Sequence, residues 1–335
     1  MSFSRAQATA GNSDVLTDVL QNYSIDDWVS FDEFVAPTFI NAGGVLHGQK
    51  PIGDTEALRE EANTTHRVGE PAAKVGTRRM TYTPYQLGAH SLRFTRDNEE
   101  DSNLRVAGYD PDMMEMSRAK STKLKLHIGK HRNLYTAVST TGNYDSTVVN
   151  PVPTVWSSSA SDPEVDVRTL QREIADLRGE WCKFGVINKK AFSYLMENGG
   201  IRAVLSDNRT RIPTLDDIRS IFDLDQLLVT DLRYDSGRTG DDESTDYVWG
   251  SIMLLFNRPL NPAKSGSLEQ VQFMRTIRNE DESWEVFEED LSSTLAPKGG
   301  YYWEYTVKQG YWSHELISLN ASSDSICAGI LTGLY

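Results

Sequence analysis

Three short motifs in this sequence carry the residue types that serine-based acyl transfer requires. Ser117 and Lys120 form the pattern Ser-x-x-Lys, and the tripeptides Ser206-Asp207-Asn208 and Lys264-Ser265-Gly266 follow later in the chain. In such a set, a lysine amine takes the proton of the serine hydroxyl, whose oxygen then attacks a carbonyl carbon. The motifs predict where a nucleophile would lie if the chain were an enzyme.

Together the motifs are similar to those of penicillin-binding enzymes and serine β-lactamases. In those enzymes the third motif lies on the edge of a strand, whereas Lys264 lies in the loop-like sequence NPAKSGS. Those enzymes also act outside the membrane, and the N-terminal sequence MSFSRAQATAGNSD has no apolar export signal. Because each motif is short enough to recur by chance, we expect no catalytic function.

The sequence also offers weak candidates for a metal site. His127 and His131 lie one helical turn apart, as two metal ligands on one helix face do. Their neighbours are cations and no third ligand is close, so we expect solvated or interface histidines. The acidic stretch 241–246 lacks the alternating ligands of a calcium-binding loop and indicates a solvated loop. Without a phosphate-binding or dinucleotide-binding glycine motif, we expect no cofactor.

Composition and charge limit the classes of function. The 335 residues are 39% hydrophobic and 24% charged, with a formal net charge of −14. Such a chain repels phosphate backbones, so we expect no tight nucleic-acid binding by the whole surface, although enclosing DNA without gripping it is compatible with this charge. Cys182 and Cys327 predict neither a zinc site nor a disulfide framework. No stretch approaches the ~20 apolar residues of a membrane span, so we expect no membrane contact.

The first hundred residues predict an arm and a large polar excursion. Residues 14–20 favour a short helix. Residues 31–40 predict a strand or strap, because Pro37 restricts the residue before it to extended geometry. Residues 41–79 are rich in glycine and charge, and 80–94 alternate as a strand does. A polar loop of about 35 residues is rare inside one domain, so we expect a hairpin-like excursion that packs on a neighbouring subunit.

A long basic amphipathic helix is predicted over 110–139. Asp110 is a suitable cap and Pro111 suits the first turn. The predicted apolar stripe comprises Leu124, Ile128, His131, Tyr135 and Val138. The other faces are predicted to carry the cations Arg118, Lys120, Lys123, Lys125, Lys130 and Arg132.

The rest of the chain alternates helices and strands. Residues 162–164 predict a helix start, Asn188 and Thr214 predict caps of two further helices, and Gly199 predicts the end of the middle one. The stripe predicted for the first helix comprises Val167, Leu170, Ile174, Leu177 and Trp181. Strands are predicted at 184–187, 227–230, 247–256, 301–307, 315–319 and 326–331, with an acidic loop at 235–246 and an acidic run at 279–290.

Taken in this order, the elements resemble those of the major capsid proteins of tailed bacteriophages, which have the Hong Kong 97-type fold. FDEFVAPTFI (31–40) resembles the strap before that family's extended loop, and 110–139 resembles its spine helix. The helix and strand in 214–235, followed by the acidic loop and DYVWGSIMLLF (246–256), resemble part of its axial domain. One departure is Trp181-Cys182-Lys183, where many relatives carry Pro-Asn.

The resemblance implies an α+β fold in five segments. These are an N-terminal arm and strap (1–40), an extended loop (41–95), a peripheral domain with the spine helix (96–161), an axial domain (162–270) and a return to the peripheral domain (271–335). It implies self-assembly into pentamers and hexamers of an icosahedral shell around double-stranded DNA, made in the host cytoplasm and located in the virion. It further implies a separate scaffolding protein, a portal and optionally a decoration protein as partners.

Charged and aromatic residues are the expected interface residues. We expect the helix cations to face the acidic run, within or between subunits, with nucleic-acid contact as the alternative. Some relatives cross-link a loop lysine to an asparagine, but no partner asparagine is evident here and we expect no cross-link. Tyr247 and Trp249 are expected in the axial-domain core. The expected interface residues are Trp28, Lys50, Lys74, Arg78, Arg79, Lys120, Lys123, Lys125, Glu285, Glu288 and Glu289.

Two other functions remain open from the sequence. An encapsulin, which is a bacterial compartment shell of the same fold, would hold a cargo peptide on its inner surface. A serine acyl-transferring enzyme of the penicillin-binding type, with Ser117 as nucleophile and Lys120 as base, is the alternative from a different class.

Overall fold

The computed structural model contains helices and sheets in a mixed α+β arrangement. The described residues are 11–12, 14–22, 26–41, 47–51, 82–178, 181–205, 212–236, 244–257, 273–279, 284–290, 302–316, 318–320, 323–326 and 328–335. In these ranges the helices are α1 (Asp14–Asn22), α2 (Asp26–Val35), α3 (Asn98–Val106), α4 (Pro111–Ser139), α5 (Pro163–Arg178), α6 (Lys189–Glu197), α7 (Gly199–Leu205) and α8 (Leu215–Ile221). None of them is both long and apolar enough to cross a bilayer.

The strands within the described ranges form two larger sheets and three two-stranded sheets. They are β1 (Gly11–Asn12), β2 (Thr38–Asn41), β3 (His47–Pro51), β4 (Tyr82–Gln86), β5 (Gly88–Asp97), β6 (Val149–Pro151), β7 (Phe184–Asn188), β8 (Gln226–Thr230), β9 (Arg233–Asp235), β10 (Thr245–Tyr247), β11 (Ile252–Phe256), β12 (Met274–Asn279), β13 (Glu285–Asp290), β14 (Tyr302–Leu316), β15 (Ser318–Asn320), β16 (Ser323–Ile326) and β17 (Ala328–Thr332).

The main core forms around the five-stranded sheet, whose strand order is β6-β17-β11-β7-β8. Strand β11 lies at its centre, pairs antiparallel with β17 and β7, and is buried along its whole length. Helix α5 packs on β17 through Val167, Leu170 and Ile174. The buried part of the stripe predicted for this helix ends at Ile174, because Leu177 and Trp181 are 41% and 48% exposed.

Near this sheet the structure corrects one sequence-based boundary and adds detail at two others. The predicted strand 247–256 is two strands in different sheets, β10 and β11, because the chain turns between them at Val248–Ser251. Helix α6 ends at Glu197 with Asn198 as its C-cap, as Gly199 predicted, and Gly199 also begins α7, whose first turn is capped by Asn198 Oδ1. Strand β17, from the segment 271–335, pairs with β11 of the segment 162–270, and the assignment of these segments to domains stays a prediction.

The second large sheet contains the 15-residue strand β14, which pairs with three other strands. Its order is β1-β13-β14-β12-β2, and β5 also pairs with β14. Helix α4 packs on β14 and β5. Helix α1, which the sequence predicted, adds Leu16 and Leu20 to a second apolar cluster that contains Trp284 and Val307. The segment 11–22 therefore folds against its own chain.

Helix α2 replaces most of the predicted strap. Residues Phe31 to Val35 are helical, and only Thr38–Asn41 is a strand. The helix has an apolar face, since Phe31 and Phe34 lie about one turn apart and both enter the main core. It ends before Pro37, which disfavours helical geometry at Ala36. The spacing of Phe31 and Phe34 indicates a helix, whereas Pro37 indicates extended structure. The prediction of a strap followed the proline and was wrong for residues 31–35.

Candidate subunit interfaces and the charged groups of the core

The cap of α4 is as predicted, but its buried face is different. Asp110 accepts a hydrogen bond from the main-chain nitrogen of Asp112 at 3.1 Å. Leu124 and Ile128 are only partly buried. The buried face shares His131 and Val138 with the predicted stripe. It comprises Ala119, Thr122, Lys123, Leu126, His127, Lys130, His131, Leu134 and Val138. The expectations of solvated or interface histidines and of an exposed Lys123 are therefore wrong, because these side chains face other elements of the same chain.

Lys123 is a buried cation that connects three elements. Its ammonium donates to the main-chain oxygen of Leu20 at the end of α1. It also lies 4.9 Å from the ring centroid of Trp284, just before β13. A cation over an indole ring is stabilised by the negative face of the ring, more strongly when water is excluded. Lys123, expected at a subunit interface, thus attaches the N-terminal segment to α4.

The other expected charged residues occupy varied positions. Lys125 is exposed and Lys120 is half-buried. Glu285, Glu288 and Glu289 are half-buried on β13, and Glu285 forms an ion pair with Lys308 at 3.5 Å. Cations at the two ends of the helix face other acids, since Arg118 pairs with Glu100 and Lys130 pairs with Asp32. Contact of the remaining cations with the acidic run of a second subunit stays a prediction.

Several expected residues lie where no side chain is described. Trp28 lies in α2 and Lys50 in β3, but their side chains are not described, and Lys74, Arg78 and Arg79 lie outside the described residues. Residues 206–208 and 264–266 also lie outside the described residues, so of the three enzyme-like motifs only the first, Ser117 with Lys120, is described. Ser117 is exposed on α4. Within the described ranges, no group of three potential metal ligands occurs, and His127 and His131 have no third ligand there.

The excursion predicted at 41–95 begins and ends in a two-stranded ribbon. Strands β3 and β4 pair antiparallel, from His47 with Gln86 to Pro51 with Tyr82, in a sheet of their own. The chain then continues into the large sheet as β5. Ion pairs of an arginine on β5 attach this strand to two neighbouring helices. Arg96 on β5 bonds Asp101 of α3 at 2.8 Å and also contacts Glu115 of α4. These bonds raise the pKa of Arg96 further above its usual range and hold β5 to two helices.

Trp249 lies where the main core meets α2 and α4. Its side chain is 1% exposed, with the ring of Phe31 at 5.4 Å and that of Tyr135 at 5.5 Å, both edge-on. Its main-chain oxygen accepts from Asn188 Nδ2 at 2.9 Å. The expectation that Trp249 is a core residue is confirmed. Tyr247 is half-buried and lies at a cavity instead, where its hydroxyl accepts from Arg233 at 2.6 Å.

A buried charge cluster joins α2 to α4 and was missed by the sequence analysis. Asp32 is 2% exposed, and its carboxylate lies 3.1 Å from Lys130 Nζ and 3.2 Å from His131 Nδ1. The ring of Phe31 packs on that of His131 at 5.3 Å. Because an isolated buried charge is costly, each partner requires the other. Asp32 appeared in the sequence only as an acid in an apolar segment, and no local pattern indicated its partner.

Two histidines of the large sheet adjoin this cluster. His314 Nδ1 lies 2.9 Å from Thr276 Oγ1, which donates to the main-chain oxygen of Ala36. Burial, with Lys130 nearby, lowers the pKa of His314 to about 4. His90 stacks on Trp312 at 3.7 Å, and burial lowers its pKa as well. Both histidines are therefore neutral near pH 7.

A cavity of about 490 Å³ opens between the end of α4, the start of α6, the β9–β10 hairpin and the C-terminal residue. Tyrosine rings dominate its wall, and cations lie over them. Arg132 is 4.5 Å from the ring centroid of Tyr234, and Lys190 is 4.1 Å from that of Tyr335. Arrays of tyrosine and arginine are typical of surfaces that bind other proteins.

Comparison with known proteins rests on structure. No protein-family model matches the sequence, and no curated protein is similar to it. A phage-related protein from Bordetella bronchiseptica RB50 aligns with a TM-score of 0.63 and 18% identity, covering 97% of this chain and 98% of that chain. The capsid of cyanophage P-SCSP1u aligns with a TM-score of 0.49 and 12% identity, covering 90% and 87%. The holo-SrpI encapsulin of Synechococcus elongatus PCC 7942 aligns at 0.46 and 11%, covering 96% and 95%.

The first of these alignments is the one that demonstrates a common fold. The other two alignments have TM-scores below 0.5, and no conclusion about the fold or function of this chain is drawn from them. Along almost its whole length, the chain has the fold of the phage-related protein of Bordetella bronchiseptica.

Proposed function

We propose that this chain is the major capsid protein of a tailed bacteriophage. Many copies would assemble through pentamers and hexamers into an icosahedral shell that encloses double-stranded DNA, and the role is structural, without catalysis. Support comes from the fold in common with a phage-related protein and from the order of excursion, long helix and DYVWG block in the sequence.

The observation that carries this proposal is the isolated ribbon β3–β4. A two-stranded ribbon is at best marginally stable in water, because it has too little apolar surface to bury. Here it frames a polar segment and shares no strand with the larger sheets of the described chain. A neighbouring subunit supplies the missing burial in a shell, where such contacts repeat around closed rings.

The remaining partners and the location follow from the proposed role. A net charge of −14 suits a shell that confines DNA through weak, non-specific contact. A separate scaffolding protein, a portal and optionally a decoration protein complete assembly in the host cytoplasm, and the mature location is the virion.

Negative-stain microscopy of the purified protein tests the proposal. We expect icosahedral shells, or rings of five and six subunits when the scaffold is absent. A variant in which a short Gly-Ser turn replaces 52–81 should keep its fold, judged by circular dichroism, and lose assembly. Particles of about 25–30 nm that contain an enzyme would identify an encapsulin instead. Monomers at every concentration, together with acylation of Ser117 by a β-lactam, would overturn the structural role.

A further inference from the structure

Strand β5 forms a long edge of the second large sheet. It has ten residues, Gly88–Asp97, and pairs antiparallel with β14 along one side. Among the described strands, none pairs with its other side. Native proteins usually protect such an edge with a proline, a lysine, a bulge or a short strand. Strand β5 contains neither proline nor lysine, and the register shift of this pair, at Lys308–Gly310, interrupts β14 instead. The edge can therefore accept a further strand.

The main-chain groups at this edge point away from the sheet. The oxygen of Thr95 accepts a hydrogen bond from Arg118 Nη1 at 3.2 Å, at an exposed position, so it lies on the side of the strand away from β14. Because the main-chain groups of a strand alternate between its two edges, those of Arg93 and Ser91 point outward as well. Ser91, Leu92 and Arg93 are all exposed. Ser91 and Arg93 thus each offer an N–H donor and an oxygen to a partner strand.

A second copy of β5 is the partner that matches this edge in length. The strands at the other ends of the two larger sheets, β1, β2, β6 and β8, have two to five residues. The ribbon strands β3 and β4 have five residues each and contain Pro51 and Pro84, which lack an N–H donor. Main-chain hydrogen bonds supply the affinity when one strand is added to another, so the longest match is favoured.

Side-chain pairing selects the register of such a contact. When two copies of one strand pair antiparallel and outward groups meet, the two-fold axis passes through one residue, which lies opposite itself. An axis at Arg93 would place like charges opposite each other, which is destabilising. An axis at Ser91 would place Leu92 opposite His90, whose ring already stacks on Trp312. An axis at Leu92 pairs this leucine with itself and Arg93 with Ser91, and it buries a leucine that is 39% exposed.

We propose that β5 pairs antiparallel with β5 of a second copy about a two-fold axis at Leu92 and so joins two neighbouring rings of subunits. The inference rests on the proposed function, because rings of five and six subunits need a further contact that connects one ring to the next. An isologous contact about a two-fold axis uses one surface of each subunit. Ser91 of each copy exchanges two main-chain hydrogen bonds with Arg93 of the other.

Disulfide trapping tests the position of the axis. Residues opposite each other at a non-hydrogen-bonded position lie about 4.5 Å apart at Cα, within the range of a disulfide. The variant Leu92→Cys should therefore form a covalent dimer after mild oxidation of assembled protein. Val165→Cys is the matched control, because it replaces another exposed apolar side chain, on α5. It should stay at the wild-type background, which Cys182 and Cys327 set.

Proline substitution tests the main-chain hydrogen bonds. Arg93→Pro removes an outward N–H from each copy and leaves the bonds to β14, because proline is tolerated where its nitrogen faces away from the sheet. Arg93→Ala is the matched control, since both variants lose the ion pair with Glu304. Melting curves verify folding, and sedimentation gives the protein concentration at half assembly. One hydrogen bond changes an equilibrium constant about 2- to 13-fold, so losing two should raise that concentration at least about fivefold. Arg93→Ala should remain within about twofold of wild type.

Three results would overturn the contact. Shells of Leu92→Cys that give no more dimer than Val165→Cys would exclude the axis at Leu92, and this result decides alone if Arg93→Pro does not fold. Equal assembly of folded Arg93→Pro and Arg93→Ala would exclude main-chain pairing at this edge. A dimer that Leu92→Cys forms only in mixture with Gln49→Cys would assign the edge to β3 of another copy. A wild-type chain that never assembles would overturn the capsid function as well, whereas shells without the cross-link overturn this contact alone.

Discussion

Replacing Asp32 with Asn leaves the buried ammonium of Lys130 facing an uncharged amide. In the native chain the carboxylate lies 3.1 Å from Lys130 Nζ, and the two side chains are 3% and 10% exposed. Water reaches neither group well, so the cation loses its partner without regaining hydration. The buried location makes this change more severe than the loss of an ion pair at the surface.

The expected magnitude follows from the burial. Removing one partner of a buried ion pair costs about 3–5 kcal/mol. For a chain of 335 residues the unfolding entropy is about 0.7 kcal/mol/K, so the melting temperature should fall by about 4–7 °C. Glu33→Gln is the matched control, because Glu33 is the adjacent residue of α2 and is exposed. Its effect should stay within about 0.5 kcal/mol.

Urea unfolding of dilute, unassembled protein at pH 7 measures the free energy of unfolding of both variants. A third variant, Lys130→Met, allows a double-mutant cycle with Asp32→Asn. Lys130→Met alone should also destabilise the chain, because it leaves the Asp32 carboxylate buried without its nearest cation. The double variant Asp32→Asn with Lys130→Met should cost at least about 1 kcal/mol less than the two single changes added together. If Asp32→Asn proved no more harmful than Glu33→Gln, or if the cycle showed no coupling, the account of α2 as attached by a buried charge pair would be wrong.

Three further changes test other parts of the core by the same unfolding measurement. The pKa of His314 is about 4 in the folded chain, against an ordinary value of 6.5. Between these two values the unfolded chain binds a proton at this histidine and the folded chain does not. The free energy of unfolding should therefore decrease as the pH is lowered from 6.5 to 4, by up to about 1.4 kcal/mol per pH unit. His314→Asn should flatten that pH dependence, and an unchanged pH dependence would show that another group causes it. Trp249→Ala should cost about 3–5 kcal/mol, whereas Trp181→Ala, at a half-exposed indole, should cost under about 1; equal costs would contradict the core position. Gly329→Ala puts a methyl group 2.7–3.0 Å from α5 side chains and a main-chain oxygen and should cost about 1–3 kcal/mol, while Gly142→Ala, in open space, should be nearly neutral.

The helix starts of this chain were predictable because capping is local. Thr214 bonds Asp217 reciprocally at the start of α8, and Asn188 accepts from the nitrogen of Ala191 at the start of α6, as the sequence indicated. Asp110 likewise caps α4. Each of these bonds connects residues two or three positions apart, so the residue types and their order suffice to predict them. The mixture of helices and strands and the short helix α1 followed from similar local patterns, whereas the α+β class came from the family resemblance.

The buried polar groups were not predictable in this way, because their partners are distant in sequence. Asp32 meets Lys130, Lys123 meets Leu20 and Trp284, and the burial of each depends on how sheets and helices come together. A cation on an amphipathic helix is exposed by default, and only a facing acid or carbonyl makes its burial tolerable. Residue patterns therefore determined where most helices begin, whereas tertiary packing decided which charges are inside and made α2 a core helix instead of a strap.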